Sequence, residues 1–198
     1  MPRNITDVAT SLFAKQEQRQ LAIEHLSAFT PTLYDALERH IAKLIKLGVA
    51  TVSPPSRTKT DDGRECLSFE WNEDRIILIP AQETARMAVD GPELRERLRV
   101  YAEQPTARLA VFCQPKDDPN VGRAIHDFYI HPEGSCSAKG IGWVIRARPI
   151  TEPAIGQIAV DFLDALAKDF DLIWRERCEL PFSKEAAGFR APMGFVKG

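Results

Sequence analysis

The chain has 198 residues and a mass of 22.2 kDa, room for one comfortable domain or two very small ones. Apolar residues at 44% and charged residues at 27% are the proportions of a folded protein and exclude wholesale disorder. Lys+Arg 26 against Asp+Glu 28 leaves a formal charge of -2, which removes any global electrostatic attraction to nucleic acid or an anionic membrane.

The first 50 residues read as helix. Ile5, Val8, Ala9, Leu12 and Phe13 share one face, and Leu21, Ile23, Leu26 and Phe29 continue the apolar content. Thr30-Pro31-Thr32 is expected to break the run, with Thr32 and Asp35 forming a capping box for a second helix striped by Leu33, Leu37, Ile41, Leu44 and Leu47. Gly48 is placed to end it, so a helical hairpin is predicted.

Residues 53–63 read as a loop, after which the apolar period changes to two. Leu67, Phe69 and Trp71 alternate with polar neighbours, Asn72-Glu73-Asp74 forms a turn, and Ile76–Ile79 reads as a central strand apolar on both faces. Asp90, Pro92 and Glu93 open a predicted helix whose buried side carries Leu94, Leu98 and Tyr101. Strands are expected at 108–113, 123–131 and 141–148, and a long helix at 153–178, striped by Ile155, Ile158, Ala159, Phe162, Leu166, Phe170 and Ile173.

Short connections between adjacent strands imply an antiparallel arrangement. The expected fold is α+β: the N-terminal hairpin (1–50), a five-stranded sheet in the order β-β-α-β-β-β (64–148), and the C-terminal helix, forming one domain to residue 180. This element order resembles that of PAS, roadblock and profilin-like domains, and the resemblance rests on order alone. Residues 181–198 form a broken tail in which Phe182, Phe189, Met193 and Phe195 alternate with Gly and Pro. Such rings dock either on their own domain or on a partner, which would include a second copy of the chain.

Ile76–Ile79 is the longest aliphatic run, far short of a membrane span. Asn4, Thr6 and Asp7 interrupt any basic-then-apolar leader, and Cys66, Cys113, Cys136 and Cys178 are scattered without a close pair. A cytoplasmic location, free cysteines, and no metal or cofactor are therefore expected.

Three constellations bear on function. In the strand at 123–131, Asp127, Tyr129 and His131 alternate to one face while His126 takes the other, beside the core. With Arg146 and Arg148 on a neighbouring strand and Lys139 in the glycine-rich loop 132–142, they compose a polar sheet face suited to a ligand or protein partner. This points to a non-catalytic regulatory or interaction module. A second reading takes Lys43, Lys46, Arg57, Lys59 and Arg64 as phosphate contacts of a winged-helix-like nucleic-acid binder. A third makes Cys136 or His131 the centre of a small enzyme.

Overall fold

The computed structural model describes residues 5–48, 51–61, 63–81, 106–114, 116, 123–140 and 144–169. Among the described residues, two helices, α1 (Ile5–Leu47) and α2 (Glu152–Asp169), bracket seven strands. The strands are β1 (Ser56–Lys59), β2 (Glu65–Trp71), β3 (Asp74–Ala81), β4 (Ala107–Gln114), β5 (Arg123–Ile130), β6 (Ser135–Gly140) and β7 (Val144–Pro149). They form one antiparallel sheet in sequence order.

The α+β class and antiparallel sheet agree with expectation. The strand count does not, because β1 and β6 come from the two segments expected to be loops. β1 is a short edge strand after Pro54-Pro55, too brief for alternation to register. β6 is built from small residues because its inward positions, Cys136 and Ala138, lie in the core beside the helices. There a bulky side chain would hold the helices off the sheet. Turn-like composition concealed a strand shaped by packing.

Pro31 does not break the first helix, which runs unbroken through it. A proline inside a helix costs roughly 3 kcal/mol, through the hydrogen bond it cannot donate and a clash with the preceding turn. The residues on either side of it outweigh that cost: Phe29 and Thr30 before it, and Leu33, Tyr34 and Leu37 after it, are all buried against the sheet. The hydroxyls of Thr30 and Thr32 donate to the carbonyls of Leu26 and Ala28, so Thr32 completes a helix turn and caps nothing. Gly48, at φ 64, does end the helix.

Both helices cover the same face of the sheet. Phe29, Leu33, Leu37 and Ile41 of α1 and Ile155, Ile158, Phe162 and Leu166 of α2 form one core with Leu67, Phe69, Ile76, Leu78, Leu109, Val111, Phe128 and Ile130. Full burial of such side chains stabilises by about 1.5–3 kcal/mol each relative to exposure. Tyr34 fastens α1 to the strands, its hydroxyl lying 3.1 Å from the Glu65 carbonyl and 3.0 Å from that of Leu78. Desolvation pushes its pKa well above the ordinary tyrosine value, so the phenol stays protonated. The β2–β3 hairpin turns through Asn72 and Glu73, both at positive φ, giving a two-residue turn whose twist suits antiparallel strands.

The predicted helix from Asp90, the last part of the C-terminal helix (170–178) and the tail 181–198 lie outside the described residues. No described helix is long and apolar enough to cross a membrane.

Candidate functional site on the outer sheet face

β5 sorts its side chains by alternation. His126 and Phe128 face the helices. Asp127 and Tyr129 face the other way, towards what is called here the outer face. The register extends this face sideways. Asp127 pairs with Ala110 of β4 and Lys139 of β6, while Tyr129 pairs with Arg108 and Ser137. Arg108, Asp127, Tyr129, Ser137 and Lys139 therefore form two adjacent cross-strand rows, and His131 continues the set just past β5.

The contacts within the set are close. Arg108 Nε lies 3.5 Å from Asp127 Oδ1, and the Tyr129 hydroxyl lies 3.5 Å from Asp127 Oδ2. His131 Nε2 is 2.8 Å from Ser137 Oγ. Only about a fifth of the Asp127 side chain is exposed, and its register partner Ala110 belongs to a buried apolar cluster with Cys66, Ile77, Ile79 and Phe112. This desolvation pushes the carboxyl pKa up to about 6, against the opposing pull of the Arg108 charge and the Tyr129 hydrogen bond. Asp127 thus changes between hydrogen-bond donor and acceptor close to neutral pH.

On the inner face, the His126 imidazole stacks edge-on to Phe128 at 4.5 Å between centroids and lies 5.4 Å from the Phe162 ring of α2. Burial lowers its pKa to about 3, despite a hydrogen bond donated to the Lys139 backbone that favours the cation. It is a neutral core histidine, as alternation implied.

The remaining sequence-predicted residues divide. Lys139 does not sit in a loop but on β6, directly across from Asp127. Arg146 is exposed on β7, where that strand lies against a bulge in the β6 ladder between Cys136 and Ala138. The bulge breaks simple alternation, so Ile145 pairs with Ala138 while Arg148 pairs with Cys136, both on the helix side. Arg148 accordingly leaves the expected polar face and forms an ion pair of 2.9 Å with Asp161 of α2. Asp161 also accepts a hydrogen bond from Gln157, giving it a structural partner on each side.

Of the basic set near the N-terminus, Lys43, Lys46 and Lys59 are exposed. Arg57 turns inward to Glu38, at 2.7 Å, and to Asp35, clamping β1 against α1 above the Tyr34 ring. Arg64 donates to the Pro80 carbonyl at 2.7 Å. In the half of α1 that would be a recognition helix, Leu33, Leu37 and Ile41 are buried in the core while Leu47 is exposed, and two of the five basic side chains are engaged within the domain.

Cys136 is fully buried on the helix side, and burial pushes its thiol up to about 12, so it holds almost no thiolate near neutrality. The His131–Ser137 distance suits a base and a hydroxyl. Asp127, however, precedes His131 by four residues on an extended strand, a span of about 13 Å, too far to orient its ring. Among the described residues no cluster of His, Cys, Asp and Glu could hold a metal.

Arg108 and Ser137 are the site residues that the sequence reading missed. Arg108 was legible in principle, since it alternates with Leu109 on a strand that had been expected. Ser137 was hidden by the loop-like composition of β6. No protein-family model matches the chain, and no curated protein or solved structure matches it either.

Proposed function

We propose that the protein is a non-catalytic binding module whose outer sheet face recognises a ligand or partner group carrying a carboxylate or phosphate. The observation that carries this reading is the carboxyl of Asp127, held largely out of water with its pKa raised to about 6 beside Arg108, Tyr129 and Lys139. Keeping an ionised carboxylate in such a place is unfavourable, and groups of this kind concentrate at recognition and catalytic sites. Arg108 and Lys139 supply positive charge and directed donors, and Tyr129, Ser137 and His131 supply neutral polar contacts. Protonation of Asp127 below pH 6 removes the one negative charge in the set, so anion binding strengthens on acidification.

The test is a panel of small carboxylates and phosphate esters titrated into the isotope-labelled protein, followed by amide NMR at pH 7.5 and pH 5.5. Perturbations should gather on β4, β5 and β6, be stronger at the lower pH, and disappear in Tyr129→Ala and Lys139→Ala variants that keep the native spectrum elsewhere. Perturbations confined to other strands, or unaffected by both substitutions, would defeat the reading.

A further inference from the structure

We propose that the C-terminal end of α1 is a docking site for the surface of an anionic lipid bilayer. Residues 39–60 hold five of the chain's 26 basic residues and none of its 28 acidic ones. Arg57, one of the five, is neutralised by Glu38 and Asp35, the two carboxylates nearest before the segment. Arg39, Lys43 and Lys46 follow one another at spacings of four and three, so they line one face of the helix over about 10 Å. Leu33, Leu37 and Ile41 lie on the opposite side, in the core. The three basic side chains are exposed, and among the described residues no carboxylate pairs with them. His40 flanks this ridge, and its pKa is lowered, by burial first and then by the charges of Lys43 and Arg39. The local potential is thus positive enough to disfavour a further cation.

Lys46 alone has an explanation within the helix, since a cation in the last turn complements the carbonyls there. The apolar residues beside it have none. Leu47 is 73% exposed and Ile45 39%, in the turn that follows Ile41 and the partly buried Leu44. Cations interleaved with projecting aliphatic side chains suit an anionic bilayer, whose headgroups take the charge and whose acyl boundary takes the leucine. A nucleic acid would engage Arg39, Lys43 and Lys46 but leave Leu47 and Ile45 in water. The chain's formal charge of -2 does not oppose docking, because charges more than about 8 Å from the surface are largely screened at physiological salt. α1 covers the sheet face opposite Asp127, so a docked domain keeps its outer face turned away from the bilayer. This inference is independent of the binding reading.

The test is flotation of the full chain with vesicles of phosphatidylcholine containing about one-third phosphatidylserine, beside vesicles of phosphatidylcholine alone. Binding is expected to the mixed vesicles only, and to weaken as salt is raised. Lys43→Ala combined with Lys46→Ala should lower the partition coefficient about 25-fold, roughly fivefold per charge. Leu47→Ser should lower it about threefold or more. Lys15→Ala with Lys59→Ala, which removes two exposed cations elsewhere, should leave it within about twofold. All of these positions are exposed, and circular dichroism checks that each variant keeps its helices. No binding to the mixed vesicles overturns the proposal, as does an equal loss from the two lysine pairs. Duplex DNA followed by fluorescence anisotropy is the rival ligand. Binding to it that exceeds vesicle binding, and that Leu47→Ser leaves unchanged, assigns the ridge to nucleic acid and also overturns the proposal.

Discussion

Two consecutive residues of β5 live in opposite circumstances. His126 points into the helix-covered core, stacked against Phe128 and Phe162, and is held neutral down to about pH 3. Asp127 points to the outer face, beside Arg108, Tyr129 and Lys139, and keeps its proton up to about pH 6. Both shifts have burial as their largest cause, yet the surroundings differ. The histidine is enclosed by aromatic rings, which contribute packing and nothing that changes state. The carboxyl is surrounded by groups that can donate or accept, and a fifth of it still meets water. The inner face is packed to hold the fold, and the polar half of the outer face carries groups whose hydrogen bonding changes with pH.

The largest way to sharpen this contrast is to damage the inner face. Phe162→Ala opens a cavity beneath the sheet and should cost about 3–5 kcal/mol in chemical denaturation. It should also let water reach the His126 ring and raise its pKa, readable by imidazole NMR. A small loss would mean that α2 is not seated on this core.

Acid titration comes next. The folded pKa of His126 lies below its unfolded value near 6.5, so its favourable contribution is present above pH 6.5 and is lost as pH falls towards 3. Each pH unit crossed in that window is worth about 1.4 kcal/mol. His126→Leu should flatten the loss of stability between pH 6.5 and 4, and an unchanged slope would contradict the assignment of His126 to the dry face.

Asp127 has the opposite sign and a smaller reach. Its folded pKa lies above the unfolded value of 3.8, so its favourable contribution is present below pH 3.8 and is lost as pH rises through 6. Asp127→Asn should therefore stabilise the protein at pH 7.5 by about 1–3 kcal/mol, and much less at pH 4. Destabilisation at pH 7.5 would show that the carboxylate serves the fold through Arg108, and would weaken the functional reading.

Much of this architecture can be read from alternation and helical stripes. Leu67, Phe69 and Trp71 marked β2, the run Ile76–Ile79 marked a central strand, and Ile155, Ile158 and Phe162 marked α2, because long periodic patterns leave few other ways of burying their apolar faces. The failures also have local causes. Pro31 looked like a break because the price of proline is visible in sequence, whereas the burial of Phe29 and Tyr34 that outweighs it is tertiary. β6 looked like a loop because Ser, Ala and Gly suit turns, whereas the need for small residues beneath two helices appears only after folding. Arg148 was assigned to the wrong face because a bulge, invisible to a two-residue period, changed the alternation between Ile145 and Arg148.

The outer set shows the same division. Asp127, Tyr129 and His131 were legible as a group because the first two alternate on one regular strand and His131 follows it directly. Arg108 and Ser137 join them through cross-strand register, which no single segment encodes. Lys139 was named for its position in a presumed loop, and instead lies on β6 as the register partner of Asp127.

The claim that the outer face is a recognition surface is tested most directly by native mass spectrometry of the full chain purified under non-denaturing conditions, set beside its Tyr129→Ala counterpart. The account predicts a bound species, small molecule or chain, on the unaltered protein and its loss from the variant while the fold is retained. A bound species held equally by both proteins would place recognition elsewhere and contradict the account.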